Sequence, residues 1–197
     1  MGFYHSSAAR PAQYSDIFPL AVPLWEDLRV GATVVKLGAA KPPVWKAYGD
    51  FLVLAFEDQG VAGNEQRVHF QVQFPHTYVE GSTVEAHVHW IGEDTTAGNV
   101  VWKLDCIRAN EHVAMANQTT HYSVAANNAA LAEAHNVGEF SPNMVVGDRG
   151  ISSMMLCTLR RNSSNVADTF NGKDAYLLEY DLHFLVDTLG SLTEHTK

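Results

Sequence analysis

The residues with the most obvious chemical potential are two histidines separated by one residue and followed by a glutamate. His87 and His89 lie in the run Val84-Glu85-Ala86-His87-Val88-His89-Trp90, and Glu93 follows a glycine just after it. Alternate side chains of a β-strand point to the same side, so the two imidazoles would share a face. Two imidazoles and one carboxylate can form a facial triad for iron or another transition metal.

This segment is similar to the first metal-binding motif of the cupins, in which a glycine precedes the two histidines by a fixed gap; here Gly81 occupies that place. The resemblance implies a metalloenzyme, but a cupin also needs a second motif downstream, with a histidine after a proline-glycine turn. None of His112, His121, His135 and His183 has such flanking residues. We therefore expect no catalytic residue and no bound metal or other cofactor. His87, His89 and Glu93 remain the ligands of the disfavoured cupin-like alternative.

The favoured interpretation of the same histidines is a polar face that contacts another copy of the chain, with or without an ion held in the seam. Four predicted strands carry polar side chains at alternate positions, opposite their apolar ones. We expect His87, His89, Asp181 and His183 to belong to this interface. The polar positions are His69, Gln71 and Gln73; Glu85, His87 and His89; Lys103 and Asp105; and Glu179, Asp181 and His183.

Other catalytic patterns are missing from the sequence. There is no Gly-x-Ser-x-Gly nucleophile turn and no phosphate-binding glycine loop. The two cysteines, Cys106 and Cys157, lie inside strand-like segments, which favours buried free thiols.

The hydrophobic pattern predicts an all-β protein. From about residue 50 the apolar residues recur with a period of two, and Phe51–Phe56 forms one continuous apolar run typical of a buried strand. Residues 127–135 are compatible with either a short helix or part of a long connection. Six or more strand-like segments favour an antiparallel β-sandwich, with an eight-stranded jelly roll as the expected topology. The predicted core-facing sets are Val68, Phe70, Val72 and Phe74; Val84, Ala86, Val88 and Trp90; Val100, Trp102, Leu104 and Cys106; and Leu178, Tyr180, Leu182, Phe184 and Val186.

The first 45 residues differ from the rest because they hold five of the seven prolines. We interpret residues 1–45 as an extended N-terminal arm that lies on its own domain or on a neighbouring subunit, and residues 46–197 as the sandwich domain. Such an arm enlarges an interface at little cost to folding. Its apolar residues are the expected anchors to another subunit or to a different partner surface: Phe18, Leu20, Leu24 and Trp25.

Composition excludes several classes of function. The chain of 197 residues has a net charge of −9, which disfavours binding to nucleic acid. No uncharged apolar run is long enough to span a bilayer, so no membrane partner is expected.

Several separated blocks of the sequence resemble a family of tailed-bacteriophage virion proteins. The blocks occur in order from about residue 25 to the C-terminus: 25–29, 68–76, 80–90, 98–102, 151–154, 180–184 and 187–191. The resemblance implies a small structural protein of the particle, with a jelly-roll-like fold and trimeric assembly, and it implies no active site.

These observations lead to one expected function and several alternatives. We expect a capsid decoration protein on the exterior of the virion, with the major capsid protein and other copies of the chain as partners. The alternative is a tail or head-fibre component that binds host glycan through loops 92–99, 139–150 and 162–174. A lectin-like domain outside any phage and the cupin-like metalloenzyme are the remaining alternatives.

Overall fold

The structure, a computed structural model, describes residues 22–115, 120–129, 134–145 and 150–191. Within these ranges the chain forms twelve β-strands and no helix. The strands are β1 (Leu24–Gly31), β2 (Lys36–Leu37), β3 (Val44–Tyr48), β4 (Phe51–Phe56), β5 (Arg67–Gln73), β6 (Thr83–Gly92), β7 (Gly98–Ala109), β8 (Thr120–Asn128), β9 (His135–Glu139), β10 (Met144–Val145), β11 (Met154–Arg161) and β12 (Ala175–Val186).

The strands form two antiparallel sheets. In the seven-stranded sheet, β6 and β12 are central: β9 and β10 pair with the other side of β6, while β4 and β1 pair with successive parts of β12, and β3 pairs with β4. The five-stranded sheet has the order β2-β5-β11-β7-β8. Every connection crosses from one sheet to the other except those of the pairs β3–β4, β7–β8 and β9–β10. This is the strand order of a jelly roll, and the predicted fold class is confirmed.

The predicted alternation places the core correctly. The inward residues of β5, β6 and β7 are buried between the sheets, where Trp90 and Trp102 pack with ring centroids 6.3 Å apart. Cys106 and Cys157 lie opposite each other on β7 and β11 as buried free thiols, with their sulfur atoms 3.2 Å apart.

One predicted core residue is wrong because β12 contains an irregularity. The register of β12 against β6 shifts between Leu177 and Glu179. A bulge adds one residue to a strand and reverses the facing of the residues beyond it. Leu177 therefore enters the core, whereas Leu178 is 36% exposed. Tyr180, Leu182, Phe184 and Val186 are buried as predicted.

The apolar run of β4 is buried only in part. Residues 53–56 are buried, but Phe51 and Leu52 are 75% and 68% exposed. Only residues 54–56 of β4 pair with β12, because β1 occupies the adjacent stretch of the same side of β12. The first half of β4 therefore does not pair with β12. Phe51 and Leu52, at the tip of the β3–β4 hairpin, are exposed to solvent.

The described part of the predicted N-terminal arm lies on the sandwich itself. β1 pairs with β12 along its whole length, and β2 pairs with β5. Residue 45, the predicted end of the arm, falls inside β3, and the division into arm and domain stays a prediction. Phe18 and Leu20 lie outside the described residues.

At the positions that the structure describes, residues 127–135 form the ends of two strands and not a helix. Asn127 and Asn128 end β8, and His135 begins β9, while residues 130–133 lie outside the described ranges. Gly138 on β9 lies against β8 of the other sheet: a Cβ placed there would be 2.8 Å from the Cβ of Ala126. A glycine thus allows the two sheets to approach where the sandwich closes on this side.

In the described ranges there is no helix long and apolar enough to cross a bilayer.

Candidate functional site

The most concentrated set of polar side chains lies on the outer face of the seven-stranded sheet. Val84, Ala86 and Val88 of β6 point into the core, so the residues between them point outward. Strand register then places side chains of β1, β9 and β12 beside them. We call this set the histidine face; its members are Asp27, Glu85, His87, His89, His135, Glu179, Asp181 and His183.

Asp181 is the centre of the histidine face. It is only 3% exposed, and its carboxylate contacts Nδ1 of His87 at 3.2 Å and Nε2 of His89 at 3.0 Å. Nε2 of His183 lies 3.6 Å from the same carboxylate. A buried carboxylate needs such partners, because leaving it unpaired is costly.

These contacts change the pKa values of Asp181 and of His87. Burial alone would raise the pKa of Asp181, but the hydrogen bonds with His87 and His89 outweigh it and hold that pKa well below its ordinary value. The hydrogen bond with Asp181 also raises the pKa of His87 against the opposing effect of burial. The carboxylate therefore keeps its charge and favours the protonated form of His87.

The remaining members of the histidine face extend this network to β1 and β9. Nδ1 of His89 lies 2.7 Å from Nε2 of His135, and Nε2 of His183 lies 2.9 Å from Asp27. Arg29 forms a salt bridge of 2.7 Å with Glu179 at one border of the face.

Three overlapping groups of the histidine face have the spacing of metal ligands. In each, the potential ligand atoms lie within 4.8 Å of one another. The groups are Glu85, His87 and His183; Asp27, Asp181 and His183; and His89, Glu179 and Asp181.

The three residues of the disfavoured cupin-like alternative do not form one group: His87 and His89 belong to different metal-ligand groups. Glu93 follows the end of β6, where its carboxylate accepts a hydrogen bond from the backbone of Asp174 at 3.0 Å, and it belongs to none of the three metal-ligand groups. Three residues of β6 lie between His89 and Glu93, so Glu93 is beyond the end of the strand.

The structure brings together the four residues predicted for a polar interface: His87, His89, Asp181 and His183. Their role in contacting another copy stays a prediction. Sequence reasoning did not include Asp27 and His135, because they join the face only through the pairing of β1 with β12 and of β9 with β6. The one available signal was their residue type, and His135 carries none of the flanking pattern that a motif needs.

A second surface feature is a groove of about 1030 Å³ lined by residues of β5, β7 and β11 of the five-stranded sheet and by residues of β1. Polar side chains of β5 and β11 line it, together with residues of β1 and of the β1–β2 connection. The polar lining includes His69, Gln71, Gln73, Asp105, Thr158 and Arg160.

Exposed apolar side chains form a third feature, along the edges of the seven-stranded sheet. Leu24 and Trp25 of β1 are 55% and 53% exposed. Trp45 of β3 and the tip of the β3–β4 hairpin are also exposed. Single exposed apolar residues are ordinary, but tryptophan and phenylalanine on sheet edges are typical of contact surfaces.

Two of the three loops predicted to bind glycan meet at one end of the sandwich. Loops 92–99 and 162–174 are joined by the Lys173–Asp94 salt bridge of 2.6 Å and by the hydrogen bond from the backbone of Asn99 to Thr169. Segment 139–150 runs toward the opposite end, where the backbone of Ile151 donates to Glu80 at 3.0 Å, and residues 146–149 lie outside the described ranges.

Comparisons with known proteins identify no family. No family model and no curated protein matches the chain. Among solved structures, it is similar to the carbohydrate-binding module CBM36 in complex with calcium and xylotriose, at 14% identity and a TM-score of 0.39, over 79% of this chain and 98% of that one. It is also similar to the CBM36-1 domain of a multidomain xylanase from the hindgut metagenome of Trinervitermes trinervoides, at 12% identity and a TM-score of 0.35, over 80% and 96% of the two chains.

A third similar structure is a carbohydrate-binding module, CBM28, specific for non-crystalline cellulose, at 6% identity and a TM-score of 0.31, over 78% of this chain and 87% of that one. Likenesses this distant carry no argument about function. The class that the chain's own strand order and surface define is a jelly-roll β-sandwich with a histidine-rich outer sheet face.

Proposed function

We propose that this protein is a non-catalytic structural protein of a tailed-bacteriophage virion, a decoration protein that binds the outside of the capsid. Several copies would associate and hold neighbouring major capsid subunits together. Any protein that binds only the assembled lattice stabilises that lattice by mass action. The main supporting observation is the exposed pair Leu24 and Trp25 on an edge strand of the jelly roll.

The position of this pair favours contact with a partner. Its backbone is held by β12, since Leu24 and Trp25 pair with Val186 and Leu185, so both side chains are presented from a fixed strand. A preordered anchor loses little entropy on binding. The net charge of −9 suits a surface that faces away from packaged DNA. The sequence blocks that resemble phage virion proteins support the same function.

The test is co-sedimentation of the purified protein with capsids that lack it. Leu24→Ser/Trp25→Ser should weaken binding at least tenfold, because it removes apolar area from the contact while leaving buried residues intact. Deletion of residues 1–21 should also weaken binding if Phe18 and Leu20 are anchors, and it leaves β1 in place. Val166→Ser is the matched control, because Val166 is exposed at the loop-162–174 end of the sandwich and should bind like the wild type. Undiminished binding by both Leu24→Ser/Trp25→Ser and the deletion variant, or no binding by the wild type, would contradict the proposal.

Glycan binding is the second candidate, and the groove between β1 and the five-stranded sheet is the observation that favours it. Amide, hydroxyl and imidazole groups there can donate and accept hydrogen bonds to sugar hydroxyls. A glycan array with the wild type and Gln71→Ala/Gln73→Ala separates the two candidates. Saturable binding that the double substitution abolishes would support a fibre or lectin-like role over decoration.

A further inference from the structure

We propose that Glu85, His87 and His183 form a binding site for a transition-metal ion of the zinc class on the outer face of the seven-stranded sheet. The proposal differs from the cupin-like triad in two of its three ligands and does not depend on the capsid function.

The strand register places the three ligands side by side on one face of the sheet. His183 on β12 lies directly across from Glu85 on β6, and His87 is two residues further along β6, so all three side chains leave the same face. Their potential ligand atoms lie within 4.8 Å of one another, and the rings of His87 and His183 have centroids 4.3 Å apart. The ligands come from two paired strands, which keeps their separation fixed.

Neighbouring carboxylates orient both imidazoles. Asp181 accepts from Nδ1 of His87 at 3.2 Å, which leaves Nε2 of that ring as the ligand atom. Asp27 accepts from Nε2 of His183 at 2.9 Å, which leaves Nδ1 of that ring. Metal-binding histidines generally donate their other ring N–H to a carboxylate in this way, because the bond fixes the tautomer and raises the basicity of the ligand.

The carboxylate ligand is also held in place. The side-chain amide of Asn143 donates to Glu85 at 3.1 Å. A side chain from each of four segments thus contributes: β6 and β12 supply ligands, and β1 and the residues before β10 supply the groups that orient them.

The same contacts decide between the three overlapping groups. The two other groups both use Asp181, which is already bonded to His87 and His89. Glu179 in one of them is paired with Arg29, whose positive charge opposes a cation there. The group Glu85, His87 and His183 leaves these bonds intact and uses them as the outer shell.

The chemistry of the ligands indicates the kind of ion. Two imidazoles and one carboxylate suit Zn²⁺ and its first-row neighbours rather than Ca²⁺ or Mg²⁺, which prefer oxygen ligands alone. Three protein ligands leave a coordination position for water or for a side chain of a neighbouring molecule. The ion would therefore either stabilise this sheet face or join it to another surface.

The test is titration of chelator-stripped protein with Zn²⁺ by calorimetry, together with the visible spectrum of the Co²⁺ form. We expect one ion per chain, and a Co²⁺ spectrum with intense bands typical of low coordination number. His183→Ala and Glu85→Gln should each weaken binding at least tenfold, and Asp27→Asn should weaken it about 10- to 100-fold through the outer shell.

His121→Ala is the matched control. His121 is an exposed histidine that contacts Asp105 at 2.6 Å on the other sheet, and its loss should leave the affinity unchanged. Circular dichroism before titration verifies that each variant is folded, and Glu85→Gln preserves side-chain volume. The absence of saturable zinc binding would overturn the proposal. So would wild-type affinity in both ligand variants, or loss of binding in His89→Ala while Glu85→Gln still binds.

Discussion

Asp181 is an almost fully buried carboxylate on the outer face of a sheet, a place where charged side chains usually reach water. It stays charged because imidazoles surround it, and in return it fixes the orientation of His87 and His89. The hydrogen bonds with His87 and His89 outweigh the cost of burial and hold the pKa of Asp181 below its ordinary value, so the charged carboxylate stabilises this arrangement. At the scale of the residue, then, the hydrogen bonds of Asp181 hold His87 and His89 in fixed orientations.

Asp94 offers a residue-scale prediction away from that face. Its carboxylate pairs with Lys173 at 2.6 Å and accepts from the backbone of Thr96 at 2.8 Å. The hydrogen bond from Lys173, followed by those from Thr96, lowers the pKa of Asp94 to about 2. Lys173→Met should raise that pKa part of the way toward its ordinary value of 3.8, because the bonds from Thr96 remain.

NMR titration of the side-chain carboxyl carbon measures this change. Because the folded-state pKa is lowered, the charged form stabilises the fold above pH 3.8, and this contribution is lost as the pH falls toward 2. Lys173→Met should remove part of that pH dependence. Lys36→Met is the control, since Lys36 lies on β2 in the other sheet and should leave the titration unchanged. An unaltered Asp94 titration in Lys173→Met would count against the salt bridge.

The residue types of the site could be predicted from the sequence, but their grouping could not. Alternation along β6 and β12 correctly put His87, His89, Asp181 and His183 on the polar sides of their strands. Nothing local specifies that β1 and β9 lie beside those strands, because pairing across so many residues depends on the whole fold. Asp27 and His135 were missed for that reason. Glu93 was included because it is close to His89 in the sequence, although the structure does not place it on the histidine face.

At the scale of the element, one buried ion pair orders the longest loop of the glycan-binding hypothesis. Arg161 at the end of β11 and Asp168 in the loop are both about 1% exposed, and the guanidinium bonds the carboxylate at 2.9 Å and 3.1 Å. The same guanidinium donates to the carbonyls of Phe56, Phe170 and Lys173. The loop is thus bound to the end of the sandwich from several sides.

Arg161→Ala should reduce the free energy of unfolding by about 3–5 kcal/mol, because it leaves the Asp168 carboxylate buried without its partner. Urea denaturation followed by tryptophan fluorescence measures this loss. The neighbouring Arg160→Ala is the control: Arg160 pairs with Asp105 at 2.9 Å nearer the surface. Its loss should cost about 1 kcal/mol or less. Equal stability of the two variants would show that the buried pair does not hold the loop.

The inward and outward residues of the strands were predictable where hydrophobic alternation was regular. The prediction failed where strand pairing interrupts that alternation. β5, β6 and β7 have the inward residues that the pattern indicates. Leu178 was misplaced by the irregularity in β12, and the exposed tip with Phe51 and Leu52 results from competition between β1 and β4 for one side of β12. Both depend on strand register, which a period of two does not contain.

At the scale of the whole molecule, the jelly roll leaves distinct surfaces for distinct tasks. The histidine face and the exposed residues of β1 lie on the seven-stranded sheet, while the groove lies between β1 and strands β5, β7 and β11 of the other sheet. The fold class was predictable because strand periodicity without helix signals limits the architectures to few. The order of strands required the structure, because pairing between distant strands depends on the whole fold.

The most direct test of the proposed function is a cryo-electron microscopy reconstruction of the purified virion. We predict jelly-roll density on the outer surface of the shell, in contact with major capsid subunits through the β1 edge that carries Leu24 and Trp25. Location of the protein in the tail or in a fibre, or its absence from the particle, would contradict the proposal.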